Sequence, residues 1–255
     1  MDKEKTYKAA LILIGDEILS GRTKDKNLSY IAENLNEYGI QLAEVRVIPD
    51  DEHEIIETTQ TLSAKFDYVF TTGGIGPTHD DITSECIGKA FGKKCVLNPE
   101  AVKMLEDYYL EGQVTPARLK MAMVPEGSTL IPNPVSGAPG FKLENVHVMA
   151  GVPKIMQGML HFVLPSLAGG KKVVSRTVEG NTGESMIADR LTEIVNAWPS
   201  VSIGSYPAFK NAKPSVSLVA RSTSEEDLDK VIQELYALFE SVDANPHIVE
   251  NTLPE

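Results

Sequence analysis

The sequence predicts an α/β protein: a three-layer α/β/α domain followed by a smaller α+β domain. Two observations carry that expectation. Short apolar runs alternate with amphipathic segments from Lys8 to Phe91, the pattern of strands joined through helices in a parallel sheet. After the break at Gly169-Gly170-Lys171-Lys172, the order changes to strand, helix, strand, strand, helix. Glycine-rich breaks of this kind mark boundaries, so the expected domains are 1–168 and 171–255.

In chain order, Ala9-Ala10-Leu11-Ile12-Leu13-Ile14 reads as a buried strand ending at Gly15-Asp16-Glu17. Leu28, Ile31, Ala32 and Leu35 recur at helical spacing, with Gly39 as the stop. Ile40 to Ile48 is a second strand, closed by Pro49. Asp51 and Glu54 have capping-box spacing before a helix whose apolar face is Ile55, Ile56, Thr59 and Leu62. Tyr68 to Thr71 is the third strand and Ser84 to Phe91 the helix after it. Asn98-Pro99 and Thr115-Pro116 each read as a cap followed by proline at the first helical position. Ile131 to Phe141, rich in proline and glycine, reads as a shaped loop: either a ligand wall or a plain connector. Val146 to Ala150 is a further strand, and Gly151-Val152-Pro153 opens a helix from Lys154 to Leu164.

Between the third strand and its helix lies Thr71-Thr72-Gly73-Gly74-Ile75-Gly76-Pro77-Thr78-His79-Asp80-Asp81-Ile82-Thr83. Glycines let the backbone adopt positive φ and let a ligand approach its N–H groups. A helix N-terminus aimed at the same place suits a phosphate. Asp80 and Asp81 oppose that: charges about 4 Å apart repel by about 4 kcal/mol at an effective dielectric near 20. A divalent cation shared between carboxylates and phosphate oxygens reconciles the two. The alternative is that an aspartate caps the helix. In a parallel sheet, Asp16 and Glu17, Asp50 and Asp51, and the glycine loop all reach the same edge, where ligands bind. Singly, each acid also reads as a solvated turn residue or a cap.

Composition narrows the ligand. At 255 residues with 42% hydrophobic and 24% charged side chains, the chain matches a soluble globular protein with a substantial core. A net charge of -12 argues against nonspecific binding to nucleic acid or anionic membranes. A nucleotide accompanied by a cation remains compatible. Cys86 and Cys95 offer neither a disulfide framework nor zinc spacing, and Cys86 falls on an apolar helix face. No signal peptide or membrane-length apolar run is present, so a cytoplasmic protein is expected. His53 and His79 read as solvated. Gly180-Asn181-Thr182-Gly183 has the spelling of a GxxG RNA-binding loop, but Glu179 and Glu184 flank it, so it reads as a turn into a helix. The tail from Asp243 to Glu255 shows no strong pattern.

The motifs resemble the MoaB/Mog molybdopterin-binding fold, and most closely the N-terminal part of competence/damage-inducible protein A (CinA). The resemblance rests on Gly15 to Gly21, Asp25, Asn27, Pro49-Asp50, the Thr71–Thr83 string, Asn133-Pro134, Ala138-Pro139-Gly140-Phe141 and Gly151-Val152-Pro153. In the second unit it rests on Gly183-Glu184-Ser185 and Gly204-Ser205-Tyr206-Pro207. It implies a domain binding molybdopterin or a nucleotide, with functional aspartates at Asp50 and Asp81. CinA-like proteins, and the related domain of eukaryotic FAD synthase, imply pyrophosphatase action on ADP-ribose or FAD with a divalent metal (Mg²⁺ or Co²⁺) and potassium. Ile75 stands where adenylyltransferases of the fold usually carry threonine, which favours the CinA-like branch. The resemblance ends about where CinA's amidase domain would begin, so deamidase activity is expected to be absent. Relatives imply a homo-oligomer, dimer or trimer.

The expected site is therefore Asp50 and Asp81 as catalytic groups, with Asp16, Glu17, Asp80 and Asp81 holding the cation. Thr72, Gly73, Gly74, Gly76, Pro139, Gly140, Gly151 and Pro153 surround the nucleotide or pterin. Three functions compete: hydrolysis of an ADP-containing diphosphate, adenylyl transfer to molybdopterin, and binding without turnover.

Overall fold

The computed structural model describes residues 5–210 and 213–249, and the chain divides into two units, Met1–Lys171 and Lys172–Glu255. The first unit begins with β1 (Tyr7–Ile14), whose last six residues are buried. A strand apolar on both faces belongs in the middle of three layers. After β1 come α1 (Asp16–Leu19), α2 (Asn27–Glu37), β2 (Ile40–Ile48), α3 (Glu52–Lys65), β3 (Tyr68–Thr72) and α4 (Thr83–Ala90). An excursion follows: β4 (Cys95–Leu97), α5 (Pro99–Tyr108), α6 (Pro116–Lys120) and β5 (Met123–Pro125). The unit closes with β6 (Thr129–Ile131), β7 (Gly140–Leu143), β8 (Val146–Met149) and α7 (Pro153–Val163).

Alternate residues of β1 serve opposite layers, as the two-residue period of a strand requires. Ala9, Leu11 and Leu13 pack with Ile31 and Leu35 of α2 and with Met156, Met159 and Leu160 of α7. Ala10, Ile12 and Ile14 pack with Ile55 and Leu62 of α3 and with Cys86 and Ile87 of α4. The sheet order is β2-β1-β3-β8-β7-β6. Its first four strands are parallel, whereas β7 and β6 continue it antiparallel. The expected parallel sheet is thus mixed, because β6, β7 and β8 form a meander rather than crossing over through helices. The ribbon of β4 and β5 stands outside this sheet.

The caps form where their spacing places them. Asp51 Oδ1 accepts from the Glu54 N–H at 3.1 Å, Asn98 Oδ1 accepts from Glu100 and Ala101 N–H, and Thr115 Oγ1 accepts from Arg118 N–H. Gly39 adopts φ +67° after α2, and a Cβ there would stand 2.3 Å from the Gly170 carbonyl oxygen. Cys86 is buried, and burial pushes its thiol pKa up to about 11.

The second unit runs β9 (Val174–Gly180), α8 (Ala188–Ala197), β10 (Ser202–Lys210), β11 (Lys213–Ser222), α9 (Glu225–Glu240) and β12 (His247–Val249). Its sheet, β10-β11-β9-β12, is antiparallel throughout. Val178, Val216, Leu218 and Ala220 turn one face towards Leu228, Val231, Ile232 and Leu235 of α9. β12 lies in the tail that shows no pattern in the sequence; three residues cannot display a periodicity, and pairing with Thr177–Glu179 creates the strand. Residues 250–255 of that tail fall outside the described residues. No described helix is long and apolar enough to cross a membrane.

Candidate functional site

The four parallel strands end at one edge, and their connections meet there. The Gly15 N–H donates to the Ile48 carbonyl at 3.1 Å, tying the end of β1 to the end of β2. The Gly73 N–H donates to the Met149 carbonyl at 3.2 Å, tying β3 to β8. Gly73 has φ +110°, and a Cβ on it would lie 2.1 Å from the Ile14 carbonyl oxygen. Gly74 has φ +67°, with Thr83 Oγ1 at 2.1 Å from its would-be Cβ. Both positions therefore require glycine for backbone shape and for space.

Asp81 builds this loop from within. One of its oxygens accepts from the Gly76 N–H at 2.6 Å, the other from the Thr78 N–H at 2.8 Å. The Gly76 amide is thus engaged by Asp81, as is that of Thr78. Neither aspartate caps α4: its N-cap is Ile82, without a side-chain cap bond, and the Thr83 N–H goes to the Gly74 carbonyl at 3.0 Å. The helix end that reaches the ligand space is that of α7, through Val152, Pro153 and Ile155. Asn27 fixes it: Nδ2 donates to the Gly151 carbonyl at 2.8 Å.

These connections border a cavity of about 700 Å³, within the range of cofactor-sized sites. Of the expected residues, Glu17, Gly73, Gly74, Gly76, Asp81, Gly151 and Pro153 line it. Thr72 is buried at the end of β3 behind the loop. Pro139 and Gly140 are buried and do not line the cavity; a Cβ on Gly140 would press the Val148 carbonyl oxygen at 2.3 Å. That motif serves the β7–β8 pairing, and the wall is made by Asn133, Ser136 and Ala138 instead. Asn133 shapes this loop, accepting from the Val135 and Ser136 N–H groups and donating to the Ala138 carbonyl.

Asp16, Asp50 and Asp80, expected at the site, do not line the cavity; Asp50 feels the charges of Asp16, Asp80 and the lining residue Glu17. Asp50 Oδ2 accepts the Asp16 N–H at 3.0 Å. Burial, opposed by that bond, holds the Asp50 carboxyl above its ordinary pKa, and the charges of Glu17, Asp16 and Asp80 raise it further. Acids from three different connections therefore feel one another. Among the described residues, no three His, Cys, Asp or Glu side chains gather around one point in the manner of a metal cage. This donor set fits a cation that takes one or two carboxylates and completes its shell with phosphate oxygens and water, as Mg²⁺ commonly does. His79 is exposed, as is His53.

The cavity is also lined by residues that sequence reasoning missed: Tyr109, Arg118 and Met121. The Arg118 guanidinium carbon lies 3.9 Å from the centre of the Tyr109 ring, and Nη1 donates to the Gln113 carbonyl at 2.5 Å. Lys120, on the same helix, donates to the Thr78 carbonyl and pins α6 to the glycine loop. A lone arginine some forty residues from the loop carries no motif; the Thr115-Pro116 cap is the signal that a helix would present it.

Residues 10–169 match the family model described as probable molybdopterin binding domain. The chain belongs to this family. Residues 172–246 match a second model, the middle domain of FAD synthase. A protein of Archaeoglobus fulgidus is 36% identical over 230 residues, covering 90% of this chain and 96% of that one. A CinA-like protein of Citrifermentans bemidjiense is 34% identical over 86% of this chain, which spans 54% of its length. The crystal structure of CinA from Thermoplasma acidophilum superposes with a TM-score of 0.58 at 36% identity, covering 61% of this chain and 95% of that one. The CinA-like relationship and the molybdopterin-binding fold thus stand on sequence and structure together.

Proposed function

We propose that this member of the family hydrolyses the phosphoanhydride of an ADP-ribose- or FAD-type dinucleotide with a divalent cation, Mg²⁺ or Co²⁺. The observation that carries this reading is the make-up of the cavity: the carboxylates of Glu17 and Asp81 and the guanidinium of Arg118 line the same space. A diphosphate with a bound cation satisfies both. Similarity of the second unit to the FAD synthase middle domain supports a flavin- or adenine-containing diphosphate.

In this reaction the oxygen of water bonds to one phosphorus as the bridging P–O bond breaks, giving AMP and a second monophosphate. The water proton passes to the carboxylate of Asp50, which is held above its ordinary pKa. Asp81 keeps the loop in shape through Gly76 and Thr78, and Arg118 neutralises phosphate charge. When bound, the cation supplies charge neutralisation between phosphate oxygens and the acids.

The test incubates the protein with ADP-ribose, FAD, NAD, or ATP plus molybdopterin, over several divalent ions, following AMP. Asp50→Asn should lower turnover about 100-fold or more while retaining ligand binding. Absence of AMP from every dinucleotide, with any divalent ion, sinks the reading. The apolar surface of Ile75, Met121, Val152 and Ile155 in the cavity and the family description favour a second reading, a pterin ligand. Adenylylated pterin formed from ATP and molybdopterin would select transfer; tight binding without product would select a binder.

A further inference from the structure

We infer that Arg118, stacked on Tyr109, selects ligands that carry a diphosphate by binding one of its two phosphate groups directly. This rests on the hydrolase reading for the class of ligand, not for turnover. The charges on the cavity wall frame the problem. Glu17 and Asp81 line it, and Arg118 is the one Arg or Lys among the described residues that do so. A phosphate beside the acids needs a cation between them, and a second phosphate that this cation does not reach is balanced by a cation of the protein's own.

Arg118 has the geometry for this. Its guanidinium stacks on the Tyr109 ring at 3.9 Å, and one of its N–H groups is held by the Gln113 carbonyl. A guanidinium carries five donors in a rigid fork that matches phosphate oxygens. Held between ring and carbonyl, it loses less conformational freedom on binding than a swinging side chain. Thr115 caps the helix that presents it, and Lys120 ties that helix to the Thr78 carbonyl of the glycine loop. Arg118 is therefore fixed relative to the loop, although α6 has five residues.

The experiment is calorimetric titration of the full chain with Mg²⁺ and two probes, ADP-ribose and uncharged adenosine. Arg118→Gln should weaken ADP-ribose about 10- to 100-fold and leave adenosine unchanged. Arg118→Lys, which keeps the charge but not the fork, should recover part of the loss, and stands in for the Gln variant should that one not fold. Tyr109→Leu should weaken ADP-ribose by a smaller factor, and Tyr109→Phe should match the wild type because the stacking ring remains. If Arg118→Gln weakens both probes alike, or neither, the residue merely holds α6 and the inference is overturned. Binding through Arg118 with no AMP released from any dinucleotide, whatever the divalent ion, would sustain the inference and overturn the hydrolase reading alone. A wild type that binds no ADP-ribose overturns the inference, and one that binds none of the dinucleotides overturns both.

Discussion

Gly73–Gly76 and Gly180–Gly183 are both glycine-rich links leading from a strand to a helix, yet their glycines do different work. In the first, Gly73 and Gly74 adopt positive φ, and the backbone of β1 and the side chain of Thr83 crowd the space where a Cβ would stand. In the second, Gly180 lies inside β9 beneath Phe239, whose Cδ1 is 2.4 Å from the would-be Cβ, and Gly183 has an ordinary φ of -86°. The first link follows a parallel strand, where connections from neighbouring strands converge at one edge. The second leaves an antiparallel strand, enters a 3-10 turn (Glu184–Met186) and faces Glu184, which accepts from Ser205 Oγ at 2.6 Å. Glycine spacing alone does not say what a link does; what meets it from other strands does.

The largest expected effect follows from Gly73→Ala. The new methyl meets the Ile14 carbonyl oxygen at 2.1 Å on a backbone with φ +110°, so strain and overpacking together should cost about 3 kcal/mol or more. ADP-ribose binding should be lost with it. Denaturant unfolding and titration check this, and a fully stable, fully binding variant would break the contrast between the links.

Acid should then tell the two units apart. His147 of β8 is buried beside Phe70 and Tyr68. Burial, aided by Lys142, lowers its pKa from 6.5 to about 4. The unfolded chain takes up this proton as pH falls below 6.5, whereas the folded unit resists until about 4, so stability is lost as pH falls through that window. The shift corresponds to about 3 kcal/mol. In the second unit His247 is exposed, and no buried histidine occurs among the described residues. Melting curves between pH 7 and pH 4 should lower the first transition selectively, and His147→Phe, which keeps a ring on Phe70, should flatten it.

The elements legible in the sequence are those whose signals are local. The period of β1 to α4 and the spelling of the Asp51, Asn98 and Thr115 caps needed no partner to be read. The antiparallel extension was not legible, because β6 and β7 have three and four residues and exist through pairing. Glu17, the glycine loop and Gly151-Val152-Pro153 were found because strand ends in a parallel sheet share an edge. Arg118 and Tyr109 were missed because an excursion away from the sheet carries them, and the Lys120 contact with Thr78 returns it to the loop. Pro139 and Gly140 were misleading for the opposite reason: a distinctive local string was needed for packing against β8. Asp81 illustrates a third case, in which a residue type that fits a metal ligand also builds the loop, through the Gly76 and Thr78 N–H groups.

The smallest effects isolate the second link, where two glycines three positions apart should differ in sign. Gly180→Ala forces a methyl against the ring of fully buried Phe239, and overpacking of this kind costs about 1–3 kcal/mol. Gly183→Ala meets nothing nearer than Ser185 Oγ at 4.0 Å and keeps a backbone, φ -86° and ψ 147°, that alanine adopts readily. Removing glycine's freedom in the unfolded chain should stabilise by about 0.4–1 kcal/mol. Neither change should alter ADP-ribose titrations, because the residues that line the cavity belong to the first unit. If Gly183→Ala instead destabilised the unit and weakened ligand binding, the second link would be a ligand contact after all, and position in the sheet would cease to explain why the two links differ.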